Sequence, residues 1–101
     1  VKKLRATHDK TPILLVEDRS FTNSEFFPHR KTHHQKSRAA LKKAYAELTD
    51  AGVGNLYYLD GDYLLGEDGE GATDGSHPSD LGMLRYADAY EPVLRAILKQ
   101  F

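Results

Sequence analysis

Two short apolar runs set what this chain can fold into. Ile13-Leu14-Leu15-Val16 follows Pro12 and ends in Glu17-Asp18, while Leu56-Tyr57-Tyr58-Leu59 follows Asn55 and ends in Asp60. Neither run alternates apolar with polar residues, so each reads as a strand covered on both faces, the pattern of a parallel sheet. Parallel neighbours need a crossover, and the segment from about Arg30 to Ala51 supplies a helix. Ala40, Leu41, Ala44, Tyr45 and Leu48 share one face of it, charges stand opposite, and Gly52 is placed to cap the C-terminus. The expected order is a strand over 12–17, a helix over 30–51 and a parallel strand over 56–60, joined with a right-handed crossover. A final helix over 79–100 takes Ser79 as N-cap and carries Met83, Tyr86, Ala87, Tyr90, Val93, Leu94, Ile97 and Phe101 at helical spacing. Pro92 is expected to bend or restart it, because proline lacks the backbone donor. Val1 to about Ala6 reads as the end of an earlier helix.

Two strands are too few for a parallel sheet that must be covered on both faces. The chain is therefore expected to be the C-terminal end of a larger α/β domain, completed by upstream sequence or by strands from a partner chain. Its start at Val1 rather than at a methionine agrees with a piece of a longer protein. With 14 Lys+Arg against 15 Asp+Glu and no long run of like charge, nothing resembles an electrostatic footprint for nucleic acid or a membrane surface. Small neutral or weakly polar substrates fit better. The absence of cysteine excludes disulfides, thiolate metal sites and cysteine nucleophiles. The longest apolar run is far short of the ~20 residues a membrane helix needs, and VKKLRATHDK lacks the apolar core of a signal peptide. Compartment is left open by these features, a periplasmic or secreted location being compatible with them.

In open α/β sheets the ligand crevice lies outside the carboxyl ends of the strands. The loops Arg19 to His29 and Gly61 to Ser76 both follow such ends, and the second leads into ATDGSHP, residues 72–78. Asp74 and His77 in this glycine-rich turn are close enough to fold back on each other. The Asp74 carboxylate can accept a hydrogen bond from one ring nitrogen of His77 and leave the other free as a general base. The plainer alternative is a turn in which Asp74 satisfies backbone amides and His77 merely precedes a proline.

TPILLVED, GNLYYLDGD and above all DGSHPSDLG, in this order around a crossover helix, resemble the C-terminal third to half of the SGNH/GDSL serine hydrolases. The resemblance implies a three-layer α/β/α, flavodoxin-like fold with parallel strands, incomplete in this chain. It also implies a Ser-His-Asp triad in which His77 is the base and Asp74 orients it, a small-molecule ester substrate such as a carbohydrate acetyl ester, and no cofactor or metal. Only one of the family's four catalytic blocks is matched. The sequence has no Gly-Asp-Ser, and Gly52-Val53-Gly54-Asn55 does not make an oxyanion block, because Leu56 follows the asparagine and the segment precedes a strand. Nucleophile and oxyanion donors are therefore expected upstream, and the 101 residues alone are expected to be inactive.

Other constellations lead elsewhere. Glu17 and Asp18 after one strand with Asp60 after another imitate a phospho-receiver domain, where such acids hold Mg²⁺ and accept phosphate. Against it, RSFTNSEFFPHR has loop chemistry where a receiver begins a helix, and no later strand carries a lysine. A non-catalytic interaction module is the remaining alternative. His29 and His33, beside His34, have the i, i+4 spacing of two metal ligands, but their cationic surroundings favour a solvated helix start. Asp60, Asp62, Glu67, Asp68 and Glu70 suggest a calcium loop, yet Leu64 and Leu65 fall where an oxygen ligand and the turn glycine belong. Arg19, Ser20, Phe21, Asn23, Phe26, Phe27 and Arg30 form a loop suited to one wall of a cleft, or to filling core beneath it.

Overall fold

In the computed structural model, which describes residues 1–19, 26–66 and 68–100, the chain runs α1 (Lys2–Thr7), β1 (Ile13–Val16), α2 (Pro28–Asp50), β2 (Leu56–Leu59) and α3 (Asp80–Gln100). Ser20, Phe21 and Asn23 of the first loop, Glu67 of the second and Phe101 of the final stripe lie outside the described residues. β1 and β2 pair in parallel, Ile13 opposite Leu56 and Val16 opposite Leu59. The ladder continues past both ends, with Ile13 N–H donating to the Asn55 carbonyl and Glu17 N–H to the Leu59 carbonyl, each at 2.9 Å.

The crossover helix α2 begins at Pro28, two residues before the expected start at Arg30, because proline is preformed for the first helical turn, where its missing N–H costs nothing. Its other end closes in a Schellman motif: Val53 N–H reaches the Leu48 carbonyl at 3.1 Å and Gly52 N–H the Thr49 carbonyl at 3.0 Å. Leu41, Ala44, Tyr45 and Leu48 are half-buried as the spacing requires, whereas Ala40 is exposed. The Tyr45 ring packs on Tyr58 of β2 with centroids 5.2 Å apart, which seats α2 against that face of the sheet.

Ser79 caps α3, its Oγ accepting the Gly82 amide at 3.2 Å while the hydroxyl donates to the Glu70 carbonyl at 3.0 Å. The helix does not restart at Pro92 but runs through it as one element. The inward face carries Gly82, Tyr86, Tyr90, Val93 and Ile97, while Met83, Ala87 and Leu94 are exposed. Those three lie on a flank further round the helix, so the buried stripe is narrower than the apolar one.

Leu64, Leu65 and Ile97 are the buried apolar residues among those described, and every residue of β1 and β2 is only half-buried. The radius of gyration is 15.2 Å, against about 13 Å for a compact domain of this length. At the amino edge of the sheet Arg5 ties α1 to both strand entries, donating to the carbonyls of His8, Thr11, Gly54 and Asn55. Among the described residues no helix is long and apolar enough to cross a membrane.

Candidate active site

The turn between β2 and α3 is a closed hairpin. Ala72 and Pro78 form an antiparallel bridge, Thr73 N–H donates to the His77 carbonyl at 3.0 Å, and Ser79 N–H donates to the Gly71 carbonyl at 2.9 Å. Its tip passes through Gly75 at φ +87°, a conformation that side chains with a Cβ rarely adopt.

Inside this hairpin the two oxygens of Asp74 do different things. Oδ1 accepts the backbone amides of Ser76 at 2.9 Å and His77 at 2.7 Å. Oδ2 lies 2.6 Å from His77 Nδ1. One carboxylate thus both accepts the backbone amides of the turn and contacts the His77 ring. The His77 amide, then the His77 ring and the Ser76 amide, hold the Asp74 carboxyl well below the usual carboxylate range. An ionised carboxylate only accepts, so Nδ1 carries the hydrogen and donates it, and in the neutral ring Nε2 keeps its lone pair. The His77 side chain is 77% exposed.

The hairpin lies beyond the carboxyl end of β1. Arg19, three residues past that strand, donates from Nε to the Ser76 carbonyl at 2.9 Å and from its terminal nitrogen to Ser76 Oγ. Arg30, in the first turn of α2, donates to the Asp74 carbonyl at 3.2 Å. Its guanidinium stands 5.4 Å from the centre of the Phe27 ring, so the aromatic end of the first loop borders the hairpin. Phe26 and Phe27 are exposed rather than filling core.

The acids of the receiver-like constellation are not assembled for a metal. Glu17 is buried, with Oε2 accepting the Tyr58 hydroxyl, Oε1 accepting the Gly61 amide at 3.0 Å, and Arg38 and Lys42 each at 3.6 Å. Burial pushes its carboxyl up, but the Tyr58 hydroxyl, the Gly61 amide and the two cations outweigh it and leave the net shift downward. Asp18 pairs with Arg19 at 2.6 Å, and Asp60 is exposed. In the acidic loop Asp62 turns to Arg38, and Asp68 takes Arg85 in a two-pronged pair at 2.7 Å and 2.7 Å. Among the described residues no three His, Asp or Glu side chains gather as a metal ion requires. His29 and His33 are exposed on the first turns of α2, and His34 is the buried one, its imidazole pushed down by burial and by Arg38.

Motif reading passes over two residues that organise this edge. Arg38 gives no sequence signal among the other cations of α2. Tyr58 does give one, because a hydroxyl on a buried strand needs a partner.

Comparison with known proteins gives the family of the chain. The profile of the GDSL-like Lipase/Acylhydrolase family matches residues 1–95. A solved structure described as a GDSL-like lipase from Bacteroides ovatus superposes with a TM-score of 0.92 at 33% sequence identity, covering 97% of this chain and 29% of that one. The chain thus spans less than a third of that protein's length. No curated protein matches it. With the family profile running over nearly all of its residues and a parallel α/β fold shared with that structure, the chain belongs to the GDSL-like lipase/acylhydrolase family.

Proposed function

We propose that these residues supply the base side of a serine ester hydrolase. His77 takes the hydroxyl proton of a serine on Nε2 as that serine attacks the acyl carbonyl, then returns it to the leaving alcohol. A water, deprotonated by the same nitrogen, then attacks the acyl carbon, and the imidazolium returns that proton to the serine oxygen as the acyl–oxygen bond breaks and the acid leaves. Asp74 fixes the ring in the Nδ1–H tautomer and stabilises the imidazolium formed in each step. The observation that carries the reading is the 2.6 Å contact between His77 Nδ1 and Asp74 Oδ2, made by a carboxylate already locked by two backbone amides.

The serine and the oxyanion donors belong, in this reading, to the rest of the same domain or to a partner chain. The lack of a Gly-Asp-Ser block, the half-covered strands and the 29% coverage of the solved structure support it. The substrate class is a small acyl ester, acetylated carbohydrates included. The test is hydrolysis of para-nitrophenyl acetate by the intact protein that carries these residues, wild type against His77→Ala. A fall in kcat of at least about 10³-fold is expected. Full activity in the variant, or inactivity of the wild type on this ester, on longer acyl chains and on acetylated sugars alike, overturns the reading.

A further inference from the structure

Arg19 joins the end of β1 to the Asp74–His77 hairpin by more than a single contact. Its guanidinium uses three nitrogens on two residues: one on Asp18 Oδ1 at 2.6 Å, Nε on the Ser76 carbonyl at 2.9 Å, and the third on Ser76 Oγ. Ser76 is thereby held from both sides, since its amide is bound by Asp74 Oδ1 at 2.9 Å. The side chain of Arg19 is only 27% exposed and that of Asp18 21%. This fork is therefore less open to competing water than the 77% exposed ring it supports. Among the described residues the His77 ring is anchored through Asp74, and Asp74 is held by Ser76, by His77 and through its carbonyl by Arg30.

We infer that Arg19 is a positioning residue for the His77 base, setting the hairpin against the carboxyl end of β1 through Ser76 and Asp74 without itself touching the substrate. The inference rests on the proposed hydrolase reading. Its chemistry is specific to arginine, because a lysine keeps the charge and can hold Asp18 or Ser76 but cannot present three N–H donors in one plane. Sequence places Arg19 directly after the Glu17-Asp18 pair, where the rival receiver reading has no use for it.

The experiment compares wild type, Arg19→Lys, Ser76→Ala and the double variant in the intact protein, with His77→Ala alongside. Two readouts are taken: kcat and KM on para-nitrophenyl acetate, and the proton resonance of His77 Nδ1–H, which reports the contact with Asp74 whether or not the protein turns over an ester. Arg19→Lys is expected to lower kcat about tenfold or more with KM within about twofold, and to broaden or shift the Nδ1–H signal. Ser76→Ala, which removes the hydroxyl and leaves the carbonyl, is expected to do less, and the double variant to fall short of the product of the two effects. Unchanged kcat with an unchanged Nδ1–H signal in Arg19→Lys overturns the inference, as does a rise in KM alone, which would make Arg19 a substrate contact. If Arg19→Lys fails to fold, Ser76→Ala still decides: no change in kcat or in the signal overturns it. Failure of the hydrolase reading shows separately, as wild-type activity in His77→Ala or none in the wild type, and leaves the resonance arm intact.

Discussion

Tyr58 donates its phenolic hydrogen to the buried carboxylate of Glu17, across the junction where β1 ends and β2 is still paired. Leu15 is the register partner of Tyr58, so Glu17 sits two residues beyond it, just past the end of the neighbouring strand. The same carboxylate takes the Gly61 amide at 3.0 Å. One anion thus fixes the exit of both strands, the place from which the loop toward Asp74 departs.

Tyr58→Phe leaves this carboxylate buried with one donor fewer. A hydrogen bond to a charged group contributes about 1.5–3 kcal/mol, and urea unfolding of the intact protein is expected to show a loss of that size. Tyr57→Phe is the control. Its hydroxyl is exposed and reaches only Gln100 Oε1 at 3.5 Å, so its removal is expected to stay within about 0.5 kcal/mol.

Acid unfolding follows from the same group. Glu17 is shifted below its ordinary value of 4.5 in the folded protein, because its hydrogen bonds and the cations Arg38 and Lys42 outweigh burial. A carboxyl whose folded value is depressed contributes stability that is fully present above the unfolded value and is lost as pH falls through the folded one. Unfolding free energy is therefore expected to decline below about pH 4.5, and Glu17→Gln is expected to be less stable at neutral pH but to show a shallower acid slope. Equal slopes in the two proteins would remove Glu17 from the account. Asp74 acts in the same direction, so Glu17→Gln reduces the slope without abolishing it.

How far this was legible in the sequence depends on whether a residue acts locally. The strands, the crossover helix, Gly52 and Ser79 could be read because periodicity and capping are properties of neighbouring residues. The Asp74–His77 contact could be read for the same reason, being three residues long. Arg19 and Ser76 are 57 residues apart, Tyr58 and Glu17 are 41 apart, and no local pattern announces such pairs. The stripe on α3 was read too wide because periodicity records which residues are apolar, whereas burial depends on what is packed against them. Leu64 and Leu65, the most buried apolar residues among those described, stand in a loop of glycines and acids where neither helical nor strand spacing marks them.

Gly82 shows what the last glycine of DGSHPSDLG is for. A Cβ there would lie 1.9 Å from the Gly71 carbonyl oxygen, with Leu65 at 3.1 Å behind it. Alanine normally stabilises a helix relative to glycine by about 1 kcal/mol, yet here the clash is with backbone that cannot move aside. Gly82→Ala is expected to destabilise by about 1–3 kcal/mol. It should also lower activity, because the Gly71 carbonyl accepts the Ser79 amide at the base of the hairpin. Gly54→Ala, where a Cβ meets nothing within 4 Å, is expected to be silent.

Asp74→Asn separates the two duties of the carboxylate. Asparagine can still offer one oxygen to the amides of Ser76 and His77, so the hairpin is expected to persist and the unfolding midpoint to move little. The other position becomes an NH₂ group facing His77 Nδ1, which is 2.6 Å from Oδ2 in the native turn. A donor there favours the tautomer with hydrogen on Nε2, and that nitrogen then has no lone pair for the proton it takes in the proposed mechanism. The same substitution in a Ser-His-Asp triad lowers kcat by about 10⁴-fold. A loss of that order with KM and stability nearly unchanged is expected for the intact protein. If Asp74→Asn instead unfolds the hairpin and His77→Ala leaves the rate alone, the carboxylate serves the turn and the base lies elsewhere.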